Sequence, residues 1–331
     1  MAALSGLGAS IVTLDRNPLP TVSSVGRNAW QALLRLRESG LLRQIKPGLS
    51  LGYLPNGEFE WVAHEAPTRW LDCSSDGVWL PADTLAAEAR AMLDLYLPHC
   101  EPSLSDGYVV GHLGQSIDGF IANQHGDSYY VTGPENILHL HRMRALSDAV
   151  IVGAGTILHD DPALTTRHVE GPSPVRVILD PSRRLSHQHQ VFSDAQAQTW
   201  LVCDIAKSEP RKHACADVIG VPYINGGLDL DALLRNLRQR GVQSVFVEGG
   251  GVAVSQFLNA QLLDRLQLAV APLIIGAGRA GISLPGRERL VDCLRPNCRV
   301  FRMGQDLLFD FDPKHSARPL DSETAPLERI Y

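Results

Sequence analysis

Apolar positions recur along the chain in two rhythms. From Thr21 to Cys100 helical and strand-like spacings alternate, whereas from Gly107 onward short continuous apolar runs are separated by helical stretches. In the first part, Trp30, Leu33, Leu34 and Leu41 share one helical face and predict a helix from about Ser24 to Leu42. Two strand-like runs, Leu51–Leu54 and Phe59–Val62, flank Pro55-Asn56-Gly57 and predict a hairpin across Leu49–Val62, because Asn and Gly both tolerate the positive φ of a tight turn. Leu85, Ala89, Met92, Leu93 and Tyr96 predict a second helix from Pro81 to Tyr96, with proline in its first turn. Pro98–Asp106, with its prolines, serines and acids, reads as a linker.

Beyond Gly107, β-branched runs at Tyr108–Leu113, Ala149–Val152, Val175–Leu179, Thr199–Val202, Val218–Val221, Ser244–Val247 and Leu266–Val270 predict a parallel sheet covered on both faces. The clearest intervening helix is Asp229–Arg240, where Leu230, Leu233, Leu234 and Leu237 form a stripe and Gly241 follows as a stop. Arg299–Met303 and Asp306–Phe311 bracket Gly304-Gln305 and predict an antiparallel hairpin at the sheet edge. The organisation is therefore a small α+β domain over residues 1–100, an α/β domain over 107–312 and a tail over 313–331.

Composition narrows the function. The chain has 331 residues, 44% of them hydrophobic, and its 30 basic and 36 acidic residues give a net charge of −6. No run of five like charges occurs, so the sequence has no electrostatic footprint for nucleic acid or an anionic membrane. A small molecule is the better partner. No apolar stretch approaches the roughly 20 residues needed to span a bilayer, and the opening Met1–Gly6 lacks a signal peptide's basic region, which points to the cytoplasm. Cys73, Cys100, Cys203, Cys215, Cys293 and Cys298 form no C-x-x-C pair and read as reduced structural thiols. His139/His141 and His187/His189 lie two apart without a supporting carboxylate or cysteine pattern; they read as surface residues, and no metal site is expected.

Three constellations carry chemistry. Gly114-Gln115-Ser116-Ile117-Asp118-Gly119 follows a predicted strand, where Ser116 and Asp118 would project into a ligand crevice; taken alone, the motif is better read as a simple Asp-Gly turn. A helix carrying Arg144 runs into the strand Ala149–Val152, then Gly153-Ala154-Gly155-Thr156 and Asp160-Asp161-Pro162-Ala163-Leu164-Thr165-Thr166-Arg167. Arg144 and Arg167 suit a forked phosphate contact, or alternatively surface ion pairs. Finally, Val247-Glu248-Gly249-Gly250-Gly251 ends a strand before an apolar helix, an arrangement that suits an anion at a helix N-terminus, or equally a flexible turn. A zinc deaminase is excluded, since His64-Glu65 lacks the H-x-E spacing and no C-x-x-C occurs, and no G-x-S-x-G marks a serine hydrolase.

In order, Ser116–Gly119, Gly126–Thr132, Met143–Thr156, Asp160–Arg167, Val177–Asp180, Val247–Gly250 and Leu262–Gly276 resemble the reductase domain of bacterial riboflavin-biosynthesis proteins, of the dihydrofolate-reductase-like superfamily, over Gly107 to about Asp312. The resemblance implies an α/β sheet flanked by helices and a homodimer. It also implies NADPH-dependent reduction of 5-amino-6-(5-phosphoribosylamino)uracil, with hydride delivered to the first ribose carbon of a ring-opened imine. On it, Asp118 and Glu248 face the reacting region as catalytic residues, and His112, Ser128, Arg144 and Arg167 hold the phosphorylated substrate. Thr156, Asp161 and Gly249, Gly250 and Gly251 contact the cofactor, while Ser182 with Arg184, or its neighbour Arg183, reads the 2′-phosphate.

Two positions depart from the family pattern: His112 stands where a lysine is common and Tyr130 where a tryptophan is usual. The family's deaminase domain has no counterpart in residues 1–100. The departures leave room for a same-fold reductase of another pyrimidine- or pterin-like metabolite. A non-catalytic nucleotide-binding protein is disfavoured by the retained Asp118, Arg144, Arg167 and Glu248.

Overall fold

The computed structural model describes residues 19–38, 50–75, 78–100, 107–129 and 131–316. The first part holds α1 (Ser24–Glu38), β1 (Ser50–Tyr53), β2 (Phe59–Val62), β3 (Arg69–Cys73), β4 (Trp79–Pro81) and α2 (Ala87–Tyr96). The hairpin forms as its Asn-Gly turn dictates, with Tyr53 opposite Phe59. The four strands make an antiparallel sheet in the order β2-β1-β3-β4. The second helix starts at Ala87 rather than Pro81, because Pro81 closes β4, a strand pairing with β3 that the sequence pattern does not announce. Leu97–Cys100 is a buried 3-10 turn, whose Cys100 carbonyl accepts a hydrogen bond from Trp79 Nε1 at 3.0 Å, so the expected linker is anchored at its start. The remaining linker positions 101–106, helix positions 39–42, Leu49, Tyr130 and the tail from 317 lie outside the described residues, as does the chain's opening segment.

The second part runs β5 (Tyr108–Ser116), β6 (Phe120–Asn123), α3 (Pro134–Leu146), β7 (Ala149–Gly153), α4 (Ala154–Asp160), β8 (Val175–Leu179), α5 (Gln190–Ser193), β9 (Thr199–Asp204), β10 (Lys212–His213) and β11 (Ala216–Val221). It continues with β12 (Tyr223–Ile224), β13 (Gly227–Leu228), α6 (Leu230–Gln239), β14 (Ser244–Glu248), α7 (Gly251–Asn259), β15 (Arg265–Ala271), β16 (Gly278–Ala280), β17 (Pro296–Met303) and β18 (Asp306–Ser316). The seven apolar runs become the parallel strands of one sheet, β11-β9-β8-β7-β14-β5-β15. Antiparallel β10 flanks one edge, and the β18-β17 hairpin flanks the other. The last strand extends to Ser316, past the Asp312 boundary read from sequence, because β17 pairs with it as far as Pro296.

Side chains alternate across each strand, so one apolar run feeds two cores. Val109, Leu113 and Val247 pack with Leu233, Leu234 and Leu237 of α6 and Phe257 of α7. Val110 and Phe246 point the other way, into a core with Met143 of α3 that continues through Leu33 and Leu36 of α1 to Leu93 and Tyr96 of α2. The N-terminal elements thus close over the α3 face of the sheet. Polar contacts reinforce this junction: Trp30 Nε1 donates to the Glu170 carbonyl at 3.0 Å, Arg37 Nη2 to the Ser147 carbonyl at 3.0 Å, and Arg299 Nη1 to the Asp94 carbonyl at 2.8 Å. None of the six cysteines is in a disulfide. Among the described residues no helix is long and apolar enough to cross a membrane.

Candidate active site

The parallel strands end together, and at their carboxyl ends the loops leave a cleft of about 760 Å³, the position where open α/β sheets bind ligands. β14 ends in Glu248, directly beside His112 of β5 in the parallel register, and both side chains line the cleft. Glu248 is buried and gripped from α3, since Arg144 donates through Nε to Oε2 at 2.7 Å and through Nη2 to Oε1 at 2.5 Å. The remaining Arg144 branch, Nη1, donates to the Thr165 carbonyl at 3.1 Å. All three nitrogens of this guanidinium are thus engaged, and Arg144 itself is buried behind Glu248 and does not line the cleft. A forked charge pair of this kind fixes both partners in place.

The glycine loop follows at once. Gly249 and Gly250 adopt φ of 70° and 49°, conformations that a side chain disfavours, and Gly251 opens α7. A Cβ at Gly251 would lie 2.1 Å from the Gly281 carbonyl oxygen, so only glycine fits there. Thr156 of α4 faces this loop, its Oγ1 3.2 Å from where a Gly250 Cβ would sit. Thr156, Gly249, Gly250 and Gly251 all line the cleft, as do Ser128 and Arg184.

The other expected site residues fall elsewhere. Asp118 is exposed and outside the cleft lining; its carboxylate accepts from Ser116 Oγ at 2.5 Å, Gly276 N at 2.7 Å and Ile275 N at 3.2 Å. Those bonds, Ser116's first, hold its pKa below the ordinary carboxylate value and make Asp118 a clasp between two loops. Asp161 turns toward α5, accepting from Gln190 N at 3.0 Å, and its neighbour Asp160 lines the cleft instead. Arg167 is exposed, donates through Nη1 to Thr165 Oγ1 at 3.1 Å, and does not line the cleft; nor does Ser182. Arg183 donates to the carbonyls of Lys207, Pro210 and Lys212, which separates it from Arg184 on the cleft rim.

Three lining groups have no signal in the sequence pattern. Asn136 of α3 enters the cleft wall, and Arg279 of β16 meets His159 of α4 at the mouth, its Nη2 donating to His159 Nε2 at 2.6 Å. Only the pairing of β16 with β6 brings Arg279 there. His112 is deeply buried, and burial lowers its pKa to about 4, the neighbouring Asn136 amide acting in the opposite direction. It is thus neutral at pH 7, not the partly charged residue its ordinary pKa suggests. His139 and His141, read from sequence as surface residues, are buried in the α3 core.

The family model of the RibD C-terminal domain matches residues 107–308. The 2,5-diamino-6-ribosylamino-4(3H)-pyrimidinone 5′-phosphate reductase of Methanothermobacter thermautotrophicus is 31% identical over 220 residues, which are 62% of this chain and 98% of that protein. The Escherichia coli riboflavin biosynthesis protein RibD is 30% identical over 199 residues, 56% of this chain and 54% of that protein, so the match spans about half of it. Among solved structures, a Thermotoga maritima diaminohydroxyphosphoribosylaminopyrimidine deaminase/5-amino-6-(5-phosphoribosylamino)uracil reductase superposes with a TM-score of 0.55 at 28% identity, covering 68% of this chain and 61% of that one. Acinetobacter baumannii RibD shares the fold, with a TM-score of 0.60 at 18% identity over 87% of this chain and 99% of that one.

Proposed function

The chain belongs to the RibD C-terminal domain family through residues 107–308, and on that premise we propose that it is an NADPH-dependent reductase of a phosphorylated ribosylamino-pyrimidine. The observation that carries this reading is the convergence, in one cleft, of the Arg144-held Glu248 carboxylate and the glycine loop at the start of α7. The family implies a nicotinamide cofactor, which supplies a hydride when bound. The residues present fit it: Gly249 and Gly250 hold positive φ at the cleft wall, Thr156 lies beside them, and the N-terminus of α7 that follows favours phosphate groups. Arg184 on the rim is the candidate reader of a 2′-phosphate, which is what favours NADPH over NADH.

Reduction of a ring-opened ribosylamine passes through a C=N group that gains positive charge when protonated. Glu248, buried and fixed by Arg144, is a preorganised negative charge beside such a centre and stabilises it without reorganising. The chain's main task is positioning, with substrate and cofactor held in contact by opposite walls of the cleft. Asp118 takes no part in this scheme, since it lies outside the cleft lining, where its carboxylate joins two loops, whereas Glu248 lines the cleft. Arg279 and His159 at the mouth, with Ser128, are the candidate contacts for the substrate phosphate.

The reading extends to a homodimer. Leu290, Val291, Leu294 and Val300 are exposed beside or on β17, the open edge of the sheet, and such an apolar edge is normally covered. A second reading, reduction of another pyrimidine- or pterin-like metabolite, is favoured by neutral His112 where the resemblance implies a lysine. Incubating the protein with NADPH and the phosphoribosylamino-uracil, and following loss of the reduced-nicotinamide absorbance, decides between them. Oxidation supports the first reading, whereas bound cofactor without oxidation favours the second.

A further inference from the structure

Within the cleft, both ring nitrogens of His112 and Oδ1 of Asn136 make no hydrogen bond of normal geometry, the nearest polar group to the His112 ring being the Asn136 amide itself. The two residues are 2% and 3% exposed, so these atoms are nearly shut off from bulk water. Buried donors and acceptors are normally paired, and leaving them unpaired is costly. Groups of this kind lining a cleft mark where a ligand's own polar atoms sit.

Their chemistry specifies the ligand. Asn136 Nδ2 donates to Thr132 Oγ1 at 2.9 Å, and in this orientation Oδ1 is left as an acceptor on the His112 side, in keeping with the amide's raising effect on the His112 pKa. A Cβ at Gly114 would lie 2.8 Å from Thr132 Cγ2 and 3.3 Å from Asn136 Nδ2, so the glycine lets this pair close on β5. Behind His112, with ring centroids 5.1 Å apart, stands His139. Its Nε2 faces Gln267 Oε1 at 3.0 Å and therefore donates, so its Nδ1 accepts from the Tyr96 hydroxyl at 2.8 Å. His139 is neutral and its ring is fixed. A neutral His112 adds one N–H donor and one acceptor.

We infer that His112 and Asn136 form an uncharged docking pair for the donor-and-acceptor edge of the substrate's heterocycle, not an anchor for its phosphate. This deepens the reading above and rests on it. A phosphate offers acceptors alone and would meet Asn136 Oδ1 as a repulsive partner, whereas an amide-like ring edge matches both residues. The cations that line the cleft, Arg184 and Arg279, are exposed on its rim, away from this pair.

Ligand-observed NMR titration with 5,6-diaminouracil and with ribose 5-phosphate, each alone, tests the assignment without requiring turnover. Asn136→Leu and His112→Leu are expected to weaken diaminouracil binding at least tenfold and to change ribose 5-phosphate binding less than twofold. His112→Gln, which keeps a neutral donor and acceptor, restores most of the loss. In the unaltered chain, the His112 ring nitrogen resonances shift with diaminouracil and not with ribose 5-phosphate, a readout that needs no variant. Weakened ribose 5-phosphate binding, or no effect of either leucine variant with both probes bound, overturns the docking pair alone. Failure of both probes to bind the unaltered chain overturns the proposed substrate class and this inference with it.

Discussion

Glu248 shows how a single position acquires a role from its neighbours. Any strand ending in glutamate would expose a carboxylate, but here Arg144 clamps both oxygens while Thr165 occupies the third branch of the guanidinium. Glu248→Gln keeps the shape and removes the charge, so turnover should fall about 100-fold while the dissociation constant for NADPH, measured by fluorescence titration, stays within about threefold. An unchanged turnover would remove Glu248 from the chemistry. Arg184 is separable from Arg183 because the latter is tied to three loop carbonyls. Arg184→Ala should raise the KM for NADPH about tenfold, the loss of one charge-assisted contact, and leave that for NADH unchanged. Equal effects on both cofactors would place the 2′-phosphate elsewhere.

At the scale of elements, α2 matters to the cleft through a polar thread. Tyr96 is fully buried on α2, and its hydroxyl donates to His139 of α3, which donates in turn to Gln267 of β15. Arg142 packs over the rings of Trp30 and Tyr96, 5.9 Å from each centroid, tying α1 into the same junction. Tyr96→Phe leaves His139 Nδ1 buried without a donor and should cost about 1–3 kcal/mol, read as a lowered urea midpoint. A midpoint equal to the parent would mean that the junction contributes nothing to the stability of the sheet. The helical stripe of α6 and the Asn-Gly hairpin were legible because each is a local periodicity. β4 was not, since a three-residue strand carries too little pattern and its pairing with β3 supplies the stability.

Across the whole molecule, burial holds histidines neutral. It lowers His99 and His112 to about 4 and His141 to about 3, against 6.5 when exposed. The unfolded chain therefore binds more protons than the folded one below pH 6.5, so this stability is complete above that value and is lost as pH falls toward 4. Asp160 and Asp306, raised by burial, act in the opposite sense within the carboxylate range. The urea midpoint should drop steadily between pH 7 and pH 4.5, and His141→Gln should flatten that slope; a level profile would contradict the neutral histidines. The apolar edge gives a second prediction. Leu290→Asp combined with Val291→Asp should halve the apparent mass in size-exclusion chromatography at micromolar concentration, while an unchanged mass would place any dimer contact on another surface.

Local pattern determined the parallel sheet, the edge hairpin and the motif order that marks the family, because strand type, turns and phosphate loops depend on neighbours a few residues apart. It also named Glu248, Thr156 and the glycine loop. What it left undecided was how each polar group spends its hydrogen bonds. The pattern does not show that the Asp118 carboxylate accepts from Gly276, distant in sequence and outside the cleft lining, or that Arg144 spends its fork on Glu248. The charge of His112 and the arrival of Arg279 at the cleft mouth were likewise set by packing between elements far apart in the chain. Desolvation and hydrogen-bond satisfaction are properties of the assembled neighbourhood, so only the tertiary structure could assign them.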